Sequence, residues 1–249
     1  MRVVRVQYKE QTFYAELRSD HVRPLDREVQ APESISPEEI ELRRPVQPSK
    51  VVCVGLNYHA HAQELGRSIP REPLLFLKPP SSVVGPGEAV RLPAQSDNVH
   101  YEGELAMVMG RFCRNVPEEE ATGHLFGYCC ANDVTARDLQ ERDVQYTRAK
   151  GFDTFCPLGP CIQTELDTDR GVGIKTLQNG ELRQEGSTSD MVFSPARLIS
   201  FVSRIMTLVP GDVILTGTPP GVGSLDAGDT ISVEIEGIGA LENTVREEE

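Results

Sequence analysis

Apolar residues in this chain recur at every second position or in short unbroken runs, and Pro, Gly and Asn interrupt them too often for long helices. Val3-Val4-Arg5-Val6 and Phe13-Tyr14-Ala15-Glu16-Leu17 read as short strands, followed by a charged connector punctuated by Pro24, Pro32, Pro37, Pro45 and Pro48. The pattern predicts a small N-terminal β unit and linker over 1–48 and a main domain over 49–249. That domain opens with the apolar strand Val51-Val52-Cys53-Val54, which breaks at Gly55; residues 57–66 then read as a short helical turn closed by Gly66. Strands are predicted again at 74–77, 104–109, 126–131, 213–216 and 230–235, with a hairpin turning at Asn179-Gly180. One longer helix stands out: Ser194 is suited to the N-cap, Pro195 to the first helical position, and Leu198, Val202, Ile205 and Val209 keep one face before Pro210-Gly211. The terminal Glu247-Glu248-Glu249 reads as a solvated tail. The expected class is mainly β with some α (α+β).

Composition narrows the function classes. With 25 Lys and Arg against 38 Asp and Glu, the net charge of −13 excludes electrostatic capture of nucleic acid. Six cysteines without a Cys-x-x-Cys pair argue against zinc ribbons and thioredoxin chemistry and read as small buried hydrophobes in a reducing compartment. The opening Met-Arg-Val-Val-Arg-Val-Gln is charged where a signal peptide is apolar, and no run approaches the ~18 apolar residues of a membrane span. A cytoplasmic protein without a membrane partner is expected. Gly217-Thr218-Pro219-Pro220-Gly221-Val222-Gly223 lacks the Gly-Lys-Ser/Thr ending of a phosphate loop, and no dinucleotide fingerprint occurs elsewhere.

Three acids carry the first chemical signal. Glu102 and Glu104 stand two apart, so on a strand both carboxylates leave one face, at the mouth of an apolar run where unpaired charge is costly. Asp133 follows the apolar segment 128–132 at another strand end. Three carboxylates with no His or Cys beside them suit a hard cation: Mg²⁺, with Mn²⁺ or Ca²⁺ as substitutes. Upstream, His61 and Glu64 are three apart on the short helix, a spacing at which the carboxylate orients the imidazole as a base. No role is expected for His21, His59, His100 or His124.

Six blocks in order then resemble the fumarylacetoacetate hydrolase family: residues 54–58 (Val-Gly-Leu-Asn-Tyr), 76–79 (Phe-Leu-Lys-Pro), 101–105 (Tyr-Glu-Gly-Glu-Leu), 132–140 (Asn-Asp-Val-Thr-Ala-Arg-Asp-Leu-Gln), 149–153 (Ala-Lys-Gly-Phe-Asp) and 214–219 (Ile-Leu-Thr-Gly-Thr-Pro). The resemblance spans about residues 51–240 and is strongest to the short acylpyruvate hydrolase and oxaloacetate decarboxylase type, with hydroxyheptadienedioate isomerases close by. It implies a mixed β-roll catalytic domain, a homodimer, and a metal held by Glu102, Glu104 and Asp133. It further implies Lys150 at the reacting centre beside His61 and Glu64, and Arg137, Gln140, Lys78 and Thr218 as substrate-binding groups. The His61–Glu64 pair matches the water-activating dyad that hydrolytic members carry on a lid.

The expected activity is therefore Mg²⁺-dependent carbon–carbon bond hydrolysis or decarboxylation of a small 2,4-dioxo acid or 2-oxo diacid, releasing pyruvate. Two alternatives stay open: an isomerase or decarboxylase of the hydroxyheptadienedioate or carboxymethyl-hydroxymuconate type, and a catalytically silent metal-binding dimer. The N-terminal unit is shorter than in two-domain family members, and the lid segment 62–67 has its own side chains, so substrate choice does not transfer.

Overall fold

The computed structural model describes residues 1–248. Its body is an 11-stranded sheet, of which nine strands follow one path: Val22–Pro24, Gln11–Leu17, Arg2–Tyr8, Cys156–Gln163, Leu125–Asn132, Gly103–Met109, Val213–Leu215, Val51–Gly55 and Leu74–Lys78. Neighbours on this path are antiparallel except for Val213–Leu215 beside Val51–Gly55. The central strand Gly103–Met109 is buried at every position. Leu105, Met107 and Met109 point into one hydrophobic core and Ala106 and Val108 into another on the opposite face, which is why its sequence is an unbroken apolar run rather than an alternation.

A five-stranded sheet (Glu181–Ser187, Gly173–Gln178, Thr230–Ile235, Gly239–Glu247, Val90–Leu92) packs across the first core, where Ile174, Val233, Ile235 and Leu241 join Leu105 and Met107. The fold is thus mostly strand in mixed sheets, as its class predicted. Asn179 and Gly180 both take the left-handed conformation that a tight two-residue hairpin requires, and they join Gly173–Gln178 to Glu181–Ser187.

The expected N-terminal β unit is built directly onto the main sheet. Its first strand, Arg2–Tyr8, pairs with Cys156–Gln163 through Arg2↔Gln163 and Val3↔Ile162, and Val4 and Val6 enter the same core as Met107. Two expectations need correction. The long helix spans Pro195–Ile205, with Ser194 Oγ accepting from the Arg197 N–H, and stops before Val209. Val209 donates its backbone N–H to Asp212 Oδ2 instead, and Leu208 bridges to Cys113, so both bonds hold the chain extended past Met206. The acidic tail is also not wholly loose: Glu247 ends a strand and pairs with Leu92, while Glu249 lies outside the described residues. All six cysteines are buried free thiols, in keeping with their reading as hydrophobes. Among the described residues no helix is long and apolar enough to cross a membrane.

Candidate metal centre and active site

The register of the two central strands assembles the acids. Gly103 pairs with Asn132 and Glu104 with Ala131, and Asp133 donates its N–H to the Glu102 carbonyl at 2.8 Å. Glu102, just before one strand, and Asp133, just after its neighbour, are therefore side by side, and Glu104 joins them from the same face as Glu102. Carboxylate oxygens of all three lie within 4.8 Å of one another and all three side chains are buried. Gly103 between the two glutamates is required by packing, because a Cβ there would stand 2.0 Å from Thr176 Oγ1 of the second sheet.

Three cations surround the cluster unevenly. Lys150, 2 % exposed, donates to Glu102 Oε2 at 2.9 Å and to Asp133 Oδ2 at 2.7 Å. Arg137 donates to Glu102 Oε1 and, at 2.9 Å, to Gln140 Oε1. Lys78 donates to Asp133 Oδ1 and to the Val134 carbonyl. Burial alone would raise the Glu102 carboxyl, but Arg137 and Lys150 hold it well below the usual carboxylate range. Burial would likewise lower the Lys150 ammonium, yet Asp133 and Glu102 keep it above its ordinary value. Glu104 differs: its one hydrogen bond is from the Gly217 N–H at 2.7 Å, it pairs with no cation among the described residues, and burial followed by the charges of Asp133 and Glu102 pushes its carboxyl well up. A buried carboxylate short of positive charge, in an all-oxygen donor set, fits a hard divalent ion; Glu102, Glu104 and Asp133 are the residues that would hold it.

The cluster floors a cavity of about 140 Å³. His61, Arg137, Gln140, Lys150 and Thr218 line it, with Val54, Leu56, Leu74 and Phe76 as its apolar wall. Tyr146 meets Phe76 edge to face, and the Lys150 ammonium sits 4.9 Å above the Phe76 ring. Eight of the ten residues expected from sequence therefore gather at one cavity. Of the other two, Lys78 lies behind Asp133, off the cavity wall, where it orients that carboxylate. Glu64 stands behind His61.

The helix His59–Glu64 carries both residues of the pair, as their spacing predicted. His61 Nδ1 lies 2.9 Å from Glu64 Oε2, and Glu64 Oε1 accepts the Gly221 N–H at 3.0 Å. With Glu64 Oε2 as acceptor, Nδ1 carries the proton and the Nε2 lone pair is left free. Asn57, at the root of the lid, is buried and binds Phe193 through its N–H and carbonyl and the Thr216 carbonyl at 2.7 Å. This fixes the start of the helix against the end of the strand Val213–Leu215.

Gln184 was not singled out from sequence. Fully buried, it accepts from the Gly103 N–H at 2.9 Å and donates to Thr218 Oγ1 and the Pro219 carbonyl, both at 2.8 Å. Thr218 in turn donates to the Gly103 carbonyl at 2.8 Å. A polar residue within Glu181-Leu182-Arg183-Gln184-Glu185 looks like any other exposed strand position, so no local pattern marks it.

This arrangement, three buried carboxylates beneath a His–Glu pair on a mixed β fold, has the donor set and the proton-transfer groups of an enzyme active site. Residues 50–246 match the fumarylacetoacetate hydrolase C-terminal domain, and the chain belongs to that family. It is 43% identical over 223 residues to the mitochondrial oxaloacetate tautomerase fahd2 of Xenopus laevis, covering 85% of this chain and 70% of that one. The solved 5-carboxymethyl-2-hydroxymuconate delta-isomerase of Mycobacterium smegmatis superposes with a TM-score of 0.92 at 43% identity over 100% of both chains. Maleylpyruvate hydrolase from Sphingobium sp. SYK-6, solved with manganese(II) and pyruvate, superposes at 0.85 with 30% identity, again over 100% of both.

Proposed function

We propose that this chain is a Mg²⁺-dependent enzyme that moves a proton at the carbon next to the 2-oxo group of a short 2-oxo acid, interconverting keto and enol forms of an oxaloacetate-like substrate. The observation that carries the reading is the placement of the His61–Glu64 dyad at the cavity whose floor is Glu102, Glu104 and Asp133. A divalent ion there, Mg²⁺ or in its place Mn²⁺ or Ca²⁺, would polarise the 2-oxo group and make the adjacent C–H acidic. Arg137 and the Gln140 amide take the carboxylate oxygens at the same end of the substrate, with Thr218 on the cavity wall beside them. His61 Nε2 removes or returns the proton at carbon three, and Glu64 stabilises the imidazolium formed meanwhile. Lys150 stabilises negative charge on the oxygen as it develops. The volume of about 140 Å³ is below the ~300–1,000 Å³ of drug-sized pockets and favours a small acid. The tautomerase from Xenopus laevis supports the same reading.

A second reading uses the same dyad on water: carbon–carbon cleavage of a 2,4-dioxo acid, or decarboxylation of a 2-oxo diacid, with release of pyruvate. The hydrolase solved with manganese(II) and pyruvate favours it. Isomerisation of a longer dienedioate, in line with the Mycobacterium smegmatis neighbour, is the same proton transfer carried along a conjugated chain. A homodimer in the cytoplasm remains part of this proposal. The deciding experiment follows the enol absorbance of oxaloacetate and, in parallel, pyruvate, with Mg²⁺ and with chelator; acetylpyruvate, fumarylpyruvate and a hydroxymuconate complete the panel. Metal-dependent enol loss without pyruvate supports the tautomerase, stoichiometric pyruvate supports cleavage, and no metal-dependent change on any acid overturns both.

A further inference from the structure

The cavity wall carries one cation that the chemistry above leaves unused. Arg67 lines the cavity together with Leu65. The other cations on the wall each hold at least one of the three acids: Arg137 pairs with Glu102, and Lys150 with Glu102 and Asp133. Arg67 pairs with no carboxylate among the described residues, so its guanidinium is available to a ligand. Glu141 shares the wall and is likewise unpaired, so a second anion entering here needs a cation close to it.

Its backbone is held in place by the way the lid helix ends. Leu65 is the C-cap, Gly66 takes the left-handed conformation at φ 62°, the Gly66 N–H bonds the Gln63 carbonyl at 3.0 Å, and the Arg67 N–H bonds the Ala62 carbonyl at 2.9 Å. These two bonds close the helix in a Schellman turn, and Arg67 is the residue that completes it. The turn that stops the lid therefore sets the position of Arg67 relative to His61 on the same helix. A substrate whose 2-oxo acid head sits over the three acids leaves its far end to the other lining groups, and among them Arg67 is the cation that pairs with no carboxylate among the described residues.

We propose that Arg67 is a specificity-determining residue that binds the distal carboxylate of the substrate and so selects 2-oxo diacids over 2,4-dioxo acids with an uncharged tail. The assignment rests on the 2-oxo acid reading above and sharpens it. A guanidinium offers a carboxylate two parallel N–H donors and offers a methyl ketone far less, so discrimination appears where the two tails differ.

Oxaloacetate and acetylpyruvate make the test, because they share the 2-oxo acid head and differ by a carboxylate oxygen against a methyl group. Their dissociation constants are measured by calorimetry on magnesium-loaded protein in a His61→Ala background, which keeps both acids intact, with Arg67 present, Arg67→Met and Arg67→Lys. With Arg67 the diacid binds more tightly; Arg67→Met lowers the diacid-to-acetylpyruvate affinity ratio by roughly 10- to 100-fold, the size of a lost charge-assisted bond. Arg67→Lys gives an intermediate ratio. A ratio that stays the same in Arg67→Met overturns the proposal. Turnover by the chain with His61 intact separates the two claims: a collapsing ratio without turnover of either acid would remove the catalytic reading and leave Arg67 as a selector of dianions.

Discussion

Replacing Lys150 by Met keeps length and burial but removes the cation shared by Glu102 and Asp133, contacts of 2.9 and 2.7 Å inside the protein. Arg137 and Lys78 still touch Glu102 and Asp133 respectively, but nothing then bridges the two acids, and Glu104 already lacks a cationic partner. Removing one partner of a buried ion pair costs roughly 3–5 kcal/mol. In a chain of this length each kcal/mol moves the unfolding midpoint by about 2–4 °C, so Lys150→Met without metal should melt about 6–20 °C below wild type. A Mg²⁺ ion held by the three acids would restore the positive charge they lost. Saturating metal should therefore raise the midpoint of Lys150→Met by more than it raises wild type's. Thermal unfolding followed by circular dichroism, with Mg²⁺ and with chelator, gives all four midpoints. A loss under about 2 °C in the metal-free variant, or a metal-induced rise no larger than wild type's, would refute the view that Lys150 and the metal neutralise the same carboxylates.

Other perturbations probe separate links. His61→Ala should lower turnover by about 10²- to 10⁴-fold while Mn²⁺ binding, followed by calorimetry, is unchanged, because His61 touches none of the three acids. Gln184→Leu strands the Gly103 N–H and frees Thr218, so chemical denaturation should show a loss of about 1–3 kcal/mol, and KM should rise more than kcat falls. Asp212 ties Ser49, Lys50 and Val209 together; burial raises its carboxyl, but Lys50, Ser49 and the Val209 N–H win and hold it below its ordinary value. A depressed acid stabilises the fold above its unfolded value and loses that contribution as pH falls through the folded one. Denaturation at a series of pH values should show the full gap between wild type and Asp212→Asn at neutral pH, closing below about 3.8.

What could be read from sequence followed short-range physics. The Glu102–Glu104 spacing and the apolar run behind it define one face of one strand, and His61–Glu64 defines one turn of helix, so both were visible before any fold was known. The approach of Asp133 to Glu102 is set by antiparallel register, and the identification of Asp133 relied on its position after an apolar run rather than on any contact the sequence displays. Val209 was misplaced because an apolar residue in helical phase was read without Asp212, whose carboxylate captures its N–H from outside the helix. Gln184 was missed for a related reason: its partners Gly103 and Thr218 are 81 and 34 residues away, on other elements. Lys78 was expected to face substrate, and only the packing of its strand against Asp133 shows that it faces the carboxylate instead.

If the proposed mechanism holds, proton transfer occurs only when the three acids hold a divalent ion. Mn²⁺ titration followed by electron paramagnetic resonance, with the rate of enol-oxaloacetate loss measured at each point, tests it directly. The rate should rise in proportion to occupancy and level off at one ion per chain, and Asp133→Asn should weaken ion binding and shift the rate curve with it. A rate that is already complete in chelator, or that is unmoved when Asp133→Asn loses the ion, would contradict the account.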